Sequence, residues 1–295
     1  EAFSLQKEFS SNSGPSVNNR LNILITEEIS AAILKLDTTS YIGLSFDSPI
    51  IFKQHHIDHF SGRLINEHGA PLPDGRGGGG FSWRIMEGDN RGAVLFHMVD
   101  QGIDTGDIVY RRDFEFPESC RYPSDYENYQ LSQAILNIPA FLELVLPKSY
   151  WENQICRAQD KGPSLYFPRL YTPVNAWIDW NWSASQIRDF ILAFSYPYPG
   201  AKCTLNDSDS IIKIFDAEIS DQFAVHHPFK SGLIHYINET SYWVCANDAS
   251  LVIPKKHISH SVELKIGDRF ISSFDRLHSA KASRPRFNAS GYVDS

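Results

Sequence analysis

The spacing of apolar positions changes character several times along this chain. Ile29, Ile33 and Leu36 recur at helical intervals behind Thr26, a residue that caps helices, and Glu27 and Glu28 fall in the first turn, where carboxylates suit the helix dipole; a helix is expected from Thr26. Short apolar runs bounded by turn residues then follow. Tyr41–Ser45 (YIGLS), Arg63–Asn66 (RLIN), Ala93–Met98 (AVLFHM) and Asp107–Arg111 read as strands. Strand, connector and strand on this spacing suggest βαβ units, an α/β class and a parallel sheet.

Asp125–Leu146 has helical composition, with Pro139 inside it expected to kink or divide the helix. The pattern lapses around residues 147–173. Ser183 and Gln186 form a capping box ahead of Ile187, Phe190, Ile191 and Phe194, so a helix is expected there that stops before Pro197. Beyond it, Ile211–Phe215, Leu233–Ile237, Ser241–Ala246 and Leu251–Ile253 are short β-type runs separated by Asp, Asn and Gly, the mark of a small antiparallel sheet or barrel. The expected organisation is therefore a catalytic-type domain over 1–172 and a β-rich domain over 173–295.

Composition narrows the class. The 295 residues are 42% hydrophobic and 21% charged, enough for one large or two modest packed domains. No run of about 18 apolar residues occurs and no secretory leader opens the chain, so neither a membrane span nor export is expected. Lys and Arg number 27 against 35 Asp and Glu, and the formal charge of −8 gives no general attraction for polyphosphate, which weighs against a nucleic-acid partner. Four cysteines without CxxC spacing indicate neither a zinc cage nor a disulfide framework, and a cytoplasmic location fits best. The opening at Glu1 and the polar stretch Glu8–Asn22 suggest an excerpt whose first strands are missing.

Two segments hold candidate chemistry. Asn66-Glu-His68 ends a strand and runs into Gly69, Pro71-Leu-Pro73, Arg76 and Gly77–Gly80, at the place where open α/β sheets put their ligands. The glycines allow close backbone approach, yet a flexible surface connection would have the same composition. Asp100-Gln-Gly-Ile-Asp104-Thr-Gly-Asp107 is an acidic turn that reads either as carboxylates for a metal or as Asp/Gly punctuation. His55-His56-Ile-Asp-His59 lacks the HExxH pattern and reads as a solvated helix start. Trp177, Trp180 and Trp182 suit stacking on a ligand or core packing equally.

Taken together, Asn66-Glu-His68, the Leu-Pro loop with Arg76-Gly77, and Asp100 to Ile108 resemble the formyltransferase family that uses 10-formyltetrahydrofolate. Phe81–Gly88 resembles its Trp-containing helix, and Ile178–Ala184 with Pro197–Ala201 resembles the segment that opens its C-terminal part. The resemblance implies a Rossmann-like formyltransferase domain followed by a small β-rich, OB-like domain, with 10-formyltetrahydrofolate as co-substrate and no metal. It implies Asn66, His68 and Asp104 as catalytic residues. Asn66 and a His68 N–H would donate to the tetrahedral oxyanion, and Asp104 would accept a proton or orient His68. Pro49, Ile50, Ile51, Val99, Asp100 and Asp104 would contact the cofactor, and Gly69, Arg76, Gly77 and Trp83 the acceptor. With no basic run to hold tRNA, a nucleotide-linked amino sugar of the 4-amino-4,6-dideoxy type, as used in surface glycan biosynthesis, is the expected acceptor. Methionyl-tRNA formyl transfer and a non-catalytic ligand-binding module of the same fold are the alternatives, and a homodimer is compatible with any of them.

Overall fold

A computed structural model describes residues 41–46, 51–78, 80–153, 156–160, 162–206, 208–220, 222, 227–259, 263–288 and 291–293. The helix expected from Thr26 and the polar stretch before it lie outside these residues. The first sheet has four strands in the order β1 (Gly43–Ser45), β2 (Leu64–His68), β3 (Arg91–Met98) and β4 (Ile108–Glu115). A short helix α1 (Gln54–His59) connects β1 to β2, and this one βαβ unit makes their pairing parallel. The remaining pairings, β2 with β3 and β3 with β4, are antiparallel, so the described sheet is mixed rather than mostly parallel. The reason lies in the connections: α2 (Gly80–Glu87) delivers the chain to β3 running back against β2, and a tight turn over 99–107 reverses it again into β4.

Alternation along these strands separates two environments. Ile65, Val94, Phe96 and Val109 point to one face, where they pack with Ala134, Phe141 and Val145 of α3 (Pro123–Val145). Phe96 and Phe141 lie face to face, ring centroids 3.7 Å apart and planes 6° from parallel. The opposite face carries Ala93, Leu95 and Ile108 together with Leu72, and beside them the polar side chains of β2 and β3. α3 continues through Pro139, so of the kink or division expected there the division does not occur. Pro139 and Ile135 both lie on the exposed face, so water can hydrate the carbonyl that a proline leaves without its amide partner. The helix begins at Pro123, with the Asp125 carboxylate accepting from the Arg121 and Tyr122 backbone N–H groups at 2.9 Å. The segment read as patternless also holds a short helix, α4 (Lys148–Asn153), whose Tyr150 closes the same core.

The second half of the chain follows the expected text. α5 (Ala184–Ala193) opens with the capping box: Ser183 Oγ accepts from Gln186 N at 3.2 Å, and Gln186 Oε1 accepts from Ser183 N at 3.1 Å. It buries Ile187, Phe190 and Ile191 against two antiparallel sheets. Naming strands in chain order, β5 (Ala201–Leu205), β6 (Ile211–Ile214), β11 (Ile258–Ser259) and β12 (Phe270–Ile271) form one, in the order β11-β6-β5-β12. β7 (Glu218–Ser220), β8 (Ile234–Ile237), β9 (Ser241–Cys245) and β10 (Ser250–Pro254) form the other, in the order β8-β9-β10-β7. Residues 37–295 make one compact unit. Its halves are tied where Ser82 Oγ on α2 donates to the Ala193 carbonyl at 2.8 Å, and where Tyr122 OH and Arg121 reach Asp216, each at 2.8 Å. Trp180 is core, whereas Trp177 and Trp182 are half-buried beside Lys202, Arg276 and Lys281.

His56 corrects one expectation. Rather than lying on a solvated helix start it is buried, its Nδ1 accepting the Lys53 N–H at 3.1 Å, while His55 is exposed. Among the described residues no grouping of His, Cys, Asp and Glu could hold a metal, and no helix is long and apolar enough to cross a membrane.

The Phe96–Phe141 stack is the joint between sheet and helix. Phe141→Ala removes a ring with no exposed surface, so urea unfolding should show a loss of about 3–5 kcal/mol with the slope of the transition preserved.

Candidate active site

Strand register assembles the polar row. Ser45 on β1 stands opposite Asn66 on β2, and Asn66 stands opposite His97 on β3, so three side chains line up across the sheet on the face away from α3. Ser45 Oγ donates to Asn66 Oδ1 at 2.8 Å. Asn66 Nδ2 then lies 3.4 Å from His97 Nε2. His97 Nδ1–H donates to the Met98 carbonyl at 2.8 Å, so in the neutral ring Nε2 is the acceptor for the Asn66 amide. The register of β3 against β4 shifts between Phe96 and His97, a local bulge of the kind that re-aims side chains beside functional sites.

His68 follows Asn66 by two residues and shares its face. Its Nε2–H donates to the Gly75 carbonyl at 2.7 Å, fixing the tautomer, and this leaves Nδ1 as the basic nitrogen. Nδ1 lies 3.9 Å from Asp104 Oδ2. Burial lowers the pKa of His68, outweighing the upward pull of the Asp104 carboxylate and the Gly75 carbonyl; His97 and Arg84 add to the lowering. The ring is therefore neutral at neutral pH.

Asp104 is delivered by the turn between β3 and β4. Its backbone has φ of +53°, a left-handed conformation that Asp tolerates better than most residues. Three sets of bonds hold the turn. Asp100 Oδ1 accepts from Gly102 N at 3.1 Å and from Thr105 Oγ1 at 2.6 Å. The Gly77 backbone N–H donates to Asp104 Oδ2 at 2.9 Å. Gln159 Nε2 donates to the carbonyls of Asp104 and Gly106 at 2.8 and 2.7 Å. Gly106 must be glycine, because a Cβ there would lie 1.8 Å from the Met98 carbonyl oxygen. Asp104 Oδ1 is 3.5 Å from His97 Nε2, so the carboxylate faces both histidines. Burial alone would raise its pKa; the His97 contact, the field of His68 and the Gly77 N–H together outweigh that and hold it below the usual carboxylate value.

Of the residues singled out from sequence, Asn66, His68, Gly77 and Asp104 thus meet in one place. Arg76 joins them through Gln159: its NH2 donates to Gln159 Oε1 at 2.7 Å, and its NH1 to Ser164 Oγ at 3.1 Å. Asp100 acts on the turn itself, and Val99 N donates to the Leu64 carbonyl at the end of β3. Trp83 belongs to other contacts, its Nε1–H donating to the Pro168 carbonyl at 2.8 Å and its ring lying against Phe167. Gly69 lies over the Gln130 side chain, and Ile51 is 73% exposed. Pro49, Ile50 and Gly79 lie outside the described residues. Ser45, His97 and Gln159 were missed. His97 had a signal, a polar residue inside the apolar run Ala93–Met98, whereas Gln159 sits in an irregular segment with none.

Beside this cluster, a cleft is lined by Pro71, Asp74, Gly75, Gly77, Arg84 and Phe167 among others. Arg84 is buried in its wall, 3.9 Å from Asp89.

In chemical terms the site offers an amide hydrogen on Asn66 beyond the one facing His97, a basic imidazole nitrogen, and a carboxylate able to stabilise that imidazole once protonated. That set serves proton transfer and oxyanion stabilisation, the needs of acyl transfer to an amine.

Comparison with known proteins agrees. The family model described as formyl transferase matches residues 48–119, and that of the formyl transferase C-terminal domain matches residues 171–271. The methionyl-tRNA formyltransferase of Rickettsia bellii is 26% identical over 229 residues, covering 78% of this chain and 69% of its own. That of Rickettsia africae is 32% identical over 170 residues, covering 58% of this chain and 52% of its own, so the chain spans about half the length of the latter. Among solved structures, the N-formyltransferase from Helicobacter canadensis, in complex with folinic acid and dTDP-3-aminofucose, shares the fold with a TM-score of 0.53 at 19% identity over 76% of each chain. With one model falling on the segment that supplies Asn66, His68 and Asp104 and the other on the β-rich half, the chain belongs to the formyltransferase family.

Proposed function

We propose that this protein transfers a formyl group from 10-formyltetrahydrofolate to the amine of a nucleotide-linked amino sugar. The observation that carries the transfer is the convergence of Asn66, His68 and Asp104, with the basic Nδ1 of His68 facing the carboxylate. The acceptor reading is supported by the formal charge of −8 and the lack of a Lys/Arg-rich run. It is also supported by the sugar nucleotide in the Helicobacter canadensis complex. The curated relatives favour a second reading, in which the acceptor is initiator methionyl-tRNA. As part of the same proposal, residues 1–172 carry the transfer and residues 173–295 buttress it.

The donor fits the groups present: 10-formyltetrahydrofolate supplies a formyl carbon open to attack by an amine, and Asn66 and the 99–104 turn would line its reactive end. Because His68 Nε2–H is committed to Gly75, this histidine does not donate to the oxyanion as the sequence suggested. Its Nδ1 instead takes the proton that the attacking amine must lose, and returns it to the tetrahydrofolate nitrogen as the oxyanion collapses and the formyl carbon's bond to that nitrogen breaks. Asp104, 3.9 Å away, stabilises the resulting imidazolium. The uncommitted hydrogen of the Asn66 amide donates to the oxygen that gains charge.

These roles predict separable losses. Asn66→Ala and His68→Ala should each lower kcat by about 10²–10³-fold with KM for the formyl donor changed less than about twofold, measured by steady-state release of tetrahydrofolate. Near-native turnover in either would move the chemistry elsewhere.

The pH dependence has a definite sign. His68 works as the neutral base, so kcat should be level through neutral pH and fall on the acid side of 6.5, as the lowered pKa is crossed. Asp104 raises that pKa, so in Asp104→Asn the acid limb should move to lower pH while kcat falls; a limb moving upward contradicts the assignment.

Acceptor choice is tested by binding. A chain of this charge should retain no initiator tRNA in a filter-binding titration at physiological salt, and micromolar, steeply salt-dependent binding would select the tRNA reading instead.

A further inference from the structure

Gln159 lies outside every sequence motif, yet it is more than nine-tenths buried and every polar atom of its amide is used. Its two N–H bonds go to the carbonyls of Asp104 and Gly106, on either side of Thr105, and its oxygen takes Arg76 NH2. Arg76 is chain neighbour to Gly77, whose N–H binds the Asp104 carboxylate. The bonds therefore close a ring: Arg76 guanidinium, Gln159 amide, Asp104 backbone, Asp104 carboxylate, Gly77 N–H, and back to Arg76. An aspartate at φ +53° between two glycine-bearing stretches has other backbone states within reach. The 2.8 and 2.7 Å bonds from one planar amide hold both carbonyls at once, and so select the state that aims the carboxylate at the histidines.

We propose that Gln159 is a positioning residue: it locks the Asp104 turn so that the carboxylate stays against His68, and it couples that lock to Arg76. The link to catalysis rests on the formyl-transfer reading; the link to His68 does not. The groups facing His68 are the Asp104 carboxylate and the Gly75 carbonyl, which raise its pKa, and His97 and Arg84, which lower it. None of the other three is bonded to Gln159, so loss of the brace acts on His68 through Asp104.

The test is to titrate the His68 ring by ¹⁵N NMR in the wild type, Gln159→Met and Asp104→Asn, and to measure kcat and KM for 10-formyltetrahydrofolate in parallel. Gln159→Met keeps the volume and removes all three bonds; if it does not melt cooperatively, Gln159→Ala, whose vacancy admits water, replaces it. The expected result is a His68 pKa below the wild-type value and shifted in the same direction as in Asp104→Asn. With it should come a roughly tenfold to hundredfold fall in kcat with KM for the donor nearly unchanged. A His68 that titrates as in the wild type overturns the proposal whatever the activity. A parent protein that transfers no formyl group while the titration difference persists overturns the functional reading and leaves the brace intact.

Discussion

A half-buried carboxylate that must stay ionised is the constraint around which this half of the molecule is arranged. Removing a carboxylate from water costs several kcal/mol unless hydrogen bonds and opposite charge replace the lost hydration. Asp104 receives a backbone N–H from the glycine loop, and the imidazoles of His68 and His97 on adjacent strands stand 3.9 and 3.5 Å away, where each pairs with the carboxylate once protonated. Each of those partners is useful only in one backbone geometry. The left-handed turn, the glycine at 106 and the loop that brings Gly77 across therefore form one requirement.

The sheet meets the opposite requirement at the same time. Because successive side chains of a strand face opposite ways, β2 and β3 present Ile65, Val94 and Phe96 to the helix and Asn66, His68 and His97 to the site. The dry face is closely packed, with Phe96 stacked on Phe141, and His97 is the next residue along the strand. Precision on the polar side is thus inherited from packing on the apolar side, one residue away. A site built on loops alone would lack that support.

Much of this was legible in the residues. The strands, the capping box of α5 and the antiparallel second half all followed from period and punctuation, which are local properties. Asn66, His68 and Asp104 were found because two short motifs coincide in one chain. What could not be read is what depends on register and on chain crossing. That Ser45 and His97 flank Asn66 follows from the alignment of three strands, and that Gln159 reaches Asp104 follows from a segment with no periodic pattern. Pro139 does not divide α3, because whether a proline ends a helix depends on which face is wet, and that is a tertiary property. The mixed sheet was missed because the connectors, rather than the strands, set strand direction.

The partner that fixes the His68 tautomer is a main-chain carbonyl, that of Gly75. Every residue type carries the same oxygen, so no single codon change can delete it. The choice of which His68 nitrogen carries the hydrogen is in that respect insulated from side-chain substitution at position 75, and depends on the shape of the loop. A Cβ on Gly75 would lie 2.6 Å from that of Ala70, so the loop's shape is in turn guarded by the smallness of two neighbouring residues. Side chains of the surrounding cleft can therefore change without removing the oxygen that holds the His68 ring in its tautomer.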